Sequence, residues 1–211
     1  DRHHFDAVIG QRDLRETYLA AFRACVVEAG AWSVMGAYNR TNGEVCCGSP
    51  TLLEQILRRE WGFAGYVVSD CGAIGDFDQR HKVTANPAES AALAVRNGCD
   101  LNCGCTYNAL LMAVEEGLID SPTIDKAVRR LFEARFRLGM FDPPAQVPYA
   151  SIPAEVVGCE EHRRLALQMA RESIVLLKNL AGTLPLRKDL KKVLVVGPTA
   201  CGMDVLLSNY Y

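Results

Sequence analysis

The residue with the clearest capacity for chemistry is Asp70, inside the stretch WGFAGYVVSDCGAIGDF (Trp61–Phe77). Tyr66, Val67 and Val68 form an apolar run of the kind that becomes a buried parallel strand, and that run stops on Ser69-Asp70. A carboxylate at such a place is costly to bury without partners or a task. In strand–helix barrels the C-terminal ends of the strands carry the catalytic groups. Asp70 is therefore read as a carboxylate nucleophile. The competing reading is that it caps the helix that follows. Cys71-Gly72-Ala73 come next, small enough for a tight turn or for close approach of a ligand.

Metal chemistry has weaker support. The chain holds nine cysteines, so at least one stays unpaired within it. Cys46-Cys47 and Cys103-Gly104-Cys105 lack the C-x2-C spacing of a zinc site. No metal and no cofactor is expected, and the thiols are read as small buried apolar groups. The formal net charge of −2 carries no basic excess, which argues against a nucleic-acid partner. No apolar run approaches the ~20 residues a membrane helix needs. Hydrophobic content of 49% and charged content of 23% are those of a globular protein. Asp1 and Tyr211 look like the middle of something longer, so the chain is expected to be a fragment that needs the missing parts of its parent.

The elements that must position Asp70 alternate. Residues from about Arg12 to Ala29 show helical spacing through Leu14, Tyr18 and Phe22, and Gly30 ends them. Trp32–Tyr38 is a first strand, followed by the polar turn Asn39–Gly43. Ser49-Pro50 starts a helix, with Ser as N-cap and Pro at the first helical position. The second strand is the one ending at Asp70. Asn86-Pro87-Ala88-Glu89 starts another helix, and Cys99–Cys103 is a short third strand. A helix near Asn108–Glu116 and a longer one from Ser121-Pro122 follow. Ser33, Tyr66 and Cys99 are evenly spaced, close to the ~31 residues per unit of an eight-unit barrel, and alternation argues for parallel pairing through right-handed crossovers. An open doubly wound sheet has a similar rhythm, but the chain lacks the G-x-G-x-x-G turn of its nucleotide-binding version.

The expected fold is thus α/β. Residues 1–138 form the C-terminal half of a (β/α)8-like barrel, and a Pro-rich linker at 139–159 holds four of the nine prolines. Residues 160–211 begin a second α/β domain, with a helix over Glu160–Leu177 and a buried strand at Val193–Gly197.

With these residues laid out, the chain resembles glycoside hydrolase family 3. The motifs, in the family's order, are RDLRETYLAAF (Arg12–Phe22), SVMGAYNRTNG (Ser33–Gly43), LRREWGFAGYVVSD (Leu57–Asp70), RLGMFD (Arg137–Asp142), ARESIVLLKN (Ala170–Asn179) and LPL…VLVVGP (Leu184–Pro198). The resemblance implies a barrel joined to an α/β sandwich and cleavage of terminal β-linked sugars with retention. It places Asp70 in the family's nucleophile motif, G-[FLY]-x-G-x-[VI]-[VIT]-[ST]-D. Tyr38 matches a tyrosine that hydrogen-bonds the nucleophile near the sugar, and Met35 is expected on the same rim. Tyr38-Asn39-Arg40 leans toward glucosidase or xylosidase activity. Cys71, where many β-glucosidases of the family carry Trp, and the later DLNC look more like the β-xylosidase-type branch and put Cys71 beside the sugar. The family's sugar-binding Arg and Lys-His pair are expected upstream of residue 1, and its acid/base, usually a Glu of the second domain, beyond Tyr211. His3 and His4 are read as ordinary loop or surface residues. The resemblance favours a secreted or periplasmic location.

A retaining glycosidase needs two carboxyl groups ~5–5.5 Å apart. Asp70 fits the nucleophile, and Tyr38, on the adjacent strand end, is expected to donate a hydrogen bond that holds it ionised. Glu44, Asp76 and Asp78 are read as solvated loop acids, and Asp100 as a structural carboxylate bonded to backbone or a base. None fits the acid, so the isolated chain is expected to hydrolyse little or nothing. The alternative is a noncatalytic remnant or scaffold piece. If Cys71 and Cys103 end neighbouring strands ~4.8 Å apart, they are within reach of a disulfide.

Overall fold

Three helix starts frame the structure, a computed structural model that describes residues 1–202, 204 and 205. Ser49 accepts the Leu52 amide at 2.9 Å and Pro50 follows, opening the helix Pro50–Glu60. Asn86 accepts the Glu89 amide at 2.9 Å, and Glu89 reaches back to the Ala85 amide, opening Pro87–Arg96. The cap of Ser121–Arg137 is Asp120, which accepts the Thr123 amide at 3.0 Å; Ser121 is the first helical residue. Each cap satisfies an amide that a helix start leaves unpaired. The first helical segment, 11–28, is not one regular helix. Short α-helical stretches alternate with the i→i+5 turns Leu14–Tyr18 and Ala24–Glu28.

The strands are short. β2 (Ser33–Gly36) pairs in parallel with β5 (Tyr66–Ser69), with Val34 opposite Val67 and Met35 opposite Val68. Val68 also bridges in parallel to Leu101. The ladder continues past that bridge, from Ser69 N to Leu101 O at 2.8 Å and from Gly72 N to Cys103 O at 2.7 Å. The three evenly spaced segments are thus parallel neighbours, with β5 in the middle, and a helix follows each of the first two. A second sheet joins β1 (Asp6–Ala7) in parallel to β3 (Arg40–Thr41), which pairs antiparallel with β4 (Glu44–Val45). The Asn42-Gly43 turn signal is realised there as a two-residue hairpin, both residues having positive φ.

The core lies between the parallel strands and the helices Pro50–Glu60 and Pro87–Arg96. Val67, Leu57, Phe63, Ile74, Phe77 and Cys99 are buried in it. One sheet face packs there; the other carries Met35, 60% exposed, and Leu101, 40% exposed. Two close approaches fix the strands. A Cβ on Gly65 would lie 2.0 Å from the Trp32 carbonyl oxygen, and one on Gly36 would lie 2.6 Å from Cys47 Sγ.

The chain divides into two compact units, Asp1–Ser151 and Ile152–Tyr211. In the second, the helix Glu160–Ser173 ends before the expected Leu177. The strand expected at Val193–Gly197 is not formed, and Val193, Leu194, Val195 and Val196 are exposed. A strand needs neighbours to satisfy its backbone and cover its apolar face, and no strand of this unit is present among the described residues. Tyr210 and Tyr211 lie outside them.

Candidate active site

Asp70 is the first residue after β5, and its amide still donates to Gly36 O at 3.0 Å, so the ladder with β2 holds it in register. Side chains alternate along a strand. Val67 and Ser69 are buried against the helices, which puts Tyr66, Val68 and Asp70 on the opposite face, the one that carries Met35 and Leu101. Asp70 is half-buried. One carboxylate oxygen, Oδ1, accepts the Cys71 amide at 2.7 Å, and the Asp70 carbonyl accepts the Ala73 amide at 3.1 Å. The next helix is Asp76–Gln79, with Gly75 at its N-cap. Asp70 therefore shapes its own turn and does not cap a helix, and the capping reading of it fails.

Cys71 and Cys103 are joined by a disulfide, with Cα atoms 4.5 Å apart. The residue after Asp70 is thus tied to the third strand segment by a covalent bond and by the Gly72–Cys103 hydrogen bond. Ser69 Oγ adds to this by accepting the Cys103 amide at 3.0 Å. Met35 lies on the open sheet face three residues before Tyr38. The Tyr38 hydroxyl donates to Cys71 O at 2.7 Å. The expected donation from Tyr38 to the Asp70 carboxylate is corrected to this bond: the proton goes to the carbonyl of the residue after Asp70.

Tyr38 is held from its other sides by residues the sequence did not single out. His3 packs its ring on that of Tyr38, edge to face, with centroids 4.5 Å apart, and Arg2 lies 5.2 Å from the same ring. His81 Nε2 bonds Tyr38 O at 2.8 Å. His3 is therefore not an ordinary surface residue: its Nδ1 meets Asp76 Oδ2 at 2.6 Å. Only the doubled histidine near the front of the chain hinted at this, since its partner is 73 residues away.

The other acids are each engaged. Glu44 accepts from Ser49 Oγ, from Thr51 N at 3.2 Å and from Thr51 Oγ1 at 2.9 Å, so it stabilises the start of Pro50–Glu60 and is not a solvated loop acid. Asp76 is buried, paired with His3 and with Arg80 at 3.0 Å. Asp78 accepts from Ser90 Oγ at 2.9 Å. Asp100 is buried beneath β5 and takes Arg58 at 2.7 Å, Arg130 at 2.8 Å and the Val67 amide at 2.9 Å, the structural role read from the sequence. Among the described residues no three His, Cys, Asp or Glu side chains gather as a metal-ligand set, and no helix is long and apolar enough to cross a membrane.

Residues 3–134 match the model of the glycosyl hydrolase family 3 N-terminal domain. The chain belongs to glycoside hydrolase family 3. Among family 3 relatives, it is 42% identical over 204 residues to a xylan 1,4-beta-xylosidase of Xylanibacter ruminicola, covering 96% of this chain and 24% of that protein. It is 39% identical to a beta-xylosidase/alpha-L-arabinofuranosidase of Medicago sativa subsp. varia, covering 99% of this chain and 27% of that one. Its structure is similar to that of a GH3 exo-beta-xylosidase in complex with a xylobiose aziridine probe, with a TM-score of 0.78 and 34% identity over 90% of this chain and 25% of that one. A beta-glucosidase from Erythrobacter marinus gives a TM-score of 0.73 at 34% identity, over 88% of this chain and 25% of that one. The chain spans about a quarter of the length of these relatives. The region matched to the family model contains Met35, Tyr38, Asp70, Cys71 and Cys103.

Proposed function

We propose that this chain carries the nucleophile of a retaining, exo-acting β-glycosidase of the xylosidase type, with Asp70 as the attacking carboxylate. One observation carries the reading. Asp70 stands at the C-terminal end of β5, between its parallel partner β2 and the segment bridged at Leu101, on the sheet face left open, with the Tyr38 hydroxyl bonded to the carbonyl of the next residue, Cys71. In a (β/α)8 barrel, of which these would be consecutive strands, the C-terminal strand ends carry the groups that meet the substrate. The xylosidase leaning rests on Cys71 and on the names of the relatives.

In this mechanism an Asp70 oxygen attacks the anomeric carbon while a protonated carboxyl group gives its proton to the leaving oxygen. The glycosyl ester that results is opened by water, which the second group deprotonates. Asp70 suits the first role because the strand ladder holds its backbone on both sides, and a site on a strand end is aimed better than one on a free loop. Glu44, Asp76, Asp78 and Asp100 are all committed elsewhere, so the acid/base is assigned outside residues 1–211 and the isolated chain is inactive.

The test is a 2-fluoro xyloside, which accumulates the covalent ester, applied to the full-length protein and to residues 1–211. The expected result is one adduct on the Asp70 peptide of the full-length protein and no turnover by the shorter chain. An adduct on another residue overturns the assignment of Asp70. No adduct and no hydrolysis by the full-length protein favours the noncatalytic remnant.

A further inference from the structure

We propose that His3 is a positioning residue for Tyr38, and that Asp76 is the anchor through which it acts; this rests on the reading of Tyr38 as part of a sugar site. Two arms leave Asp76 and both end on Tyr38. The first is made of side chains: Asp76 Oδ2 holds His3 Nδ1 at 2.6 Å, and the His3 ring lies against the Tyr38 ring at 4.5 Å between centroids. The second runs through backbone: Asp76 O accepts the His81 amide at 2.7 Å, and His81 Nε2 bonds Tyr38 O at 2.8 Å. Tyr38 is thereby fixed at its ring and at its carbonyl, and its hydroxyl is left aimed at Cys71 O, 2.7 Å away and one residue from Asp70.

The burial of the parts fits a buried anchor that holds a more exposed ring. The Asp76 side chain is 7% exposed and that of His3 33%. Asp76 is already compensated by Arg80 on its other oxygen at 3.0 Å, so it does not need His3 to be tolerated inside the protein. What His3 adds is an aromatic edge at a defined angle of 60° against the Tyr38 ring, which also packs against the core. A ring held this way offers a sugar a preformed wall, and preorganisation of that kind acts on binding.

The experiment uses the full-length protein and an aryl β-xyloside. His3→Phe keeps the ring and drops the bond to Asp76; His3→Asn keeps a nitrogen donor and drops the ring. Each is made alone and in a Tyr38→Ala background, and kcat and KM are measured separately. Expected is a KM about fivefold higher for each single variant, with kcat within about twofold, and no further change when Tyr38 is already Ala. The same cycle is read on the dissociation constant for xylose, which needs no turnover and does not depend on which carboxylate is the nucleophile. The proposal is overturned if KM and xylose affinity do not move, if kcat alone falls, or if His3→Phe has the same effect in both backgrounds, since additive effects mean that His3 does not act through Tyr38.

Discussion

Two carboxylates of this chain sit within one turn of neighbouring strands and meet opposite fates. Asp100 is surrounded: two guanidinium groups and an amide take its oxygens, and burial pulls the Arg58 pKa below its ordinary value, with the Asp100 charge acting to restore it. Asp70 has one local amide on one oxygen and stands on the open face. The consequences under mutation are opposite. Asp100→Asn removes the charge between two buried or half-buried bases and should destabilise the protein by about 3–5 kcal/mol, as breaking a buried ion pair does. Asp70→Asn loses at most one modest hydrogen bond, about 1 kcal/mol, and should remove hydrolysis by the full-length protein. Urea unfolding and aryl xyloside turnover, run on both variants, separate the two. An Asp70 variant that unfolds early while keeping its activity would reverse the assignment. Asp100 was legible from the sequence because an acid inside a strand needs a base. Glu44 and Asp76 were not, because the residues that engage them come from a helix start and from a segment far along the chain.

At the scale of elements, the helix starts and the strand rhythm came through, while the details of winding and the strand of the second unit did not. Ser49-Pro50 and Asn86-Pro87 opened helices where their side chains meet the amides three residues on, and the strand rhythm through Ser33, Tyr66 and Cys99 gave three parallel neighbours. The helix from Ser121-Pro122 also opened where it was expected, capped by Asp120. The segment Val193–Val196 has strong strand propensity, yet propensity does not supply a neighbouring strand. The irregular winding of residues 11–28 left no mark in its apolar spacing. Glycine was the other silent signal. Gly65 sits where the second strand passes the Trp32 carbonyl, and any Cβ there would overlap it at 2.0 Å. Gly65→Ala must push β5 from β2 or break the turn before it. A cost of about 3 kcal/mol, the upper end for overpacking, is expected in urea unfolding, whereas Gly62→Ala, with open space around its Cβ, should lose only what its positive φ of 69° demands. Equal losses for the two would mean that the strand pair yields without strain.

At the scale of the whole first unit, the core that supports the site also carries protons it resists losing. The Cys47 thiol is pushed well above its ordinary value of 9.0 by the neighbouring Cys99 thiol and by burial. Cys46 is raised chiefly by burial, and Tyr107, whose hydroxyl donates to Cys99 O, is raised well above 10.0, again chiefly by burial. All three shifts are upward, so the folded protein keeps these protons at a pH where the unfolded chain has released them. With fewer protons bound in the unfolded state, stability falls as pH rises. The contribution is complete below about pH 9, the ordinary thiol value, and is lost progressively above it. The thermal midpoint should therefore be level through the neutral range and decline beyond about pH 9. Cys47→Ala removes one of these protons along with some packing. Its midpoint should be lower at neutral pH and should decline less steeply in alkali, so the slope reports the proton and the level reports the cavity. An unchanged alkaline slope in Cys47→Ala would show that the thiol at the centre of this core does not govern how the protein unfolds in base.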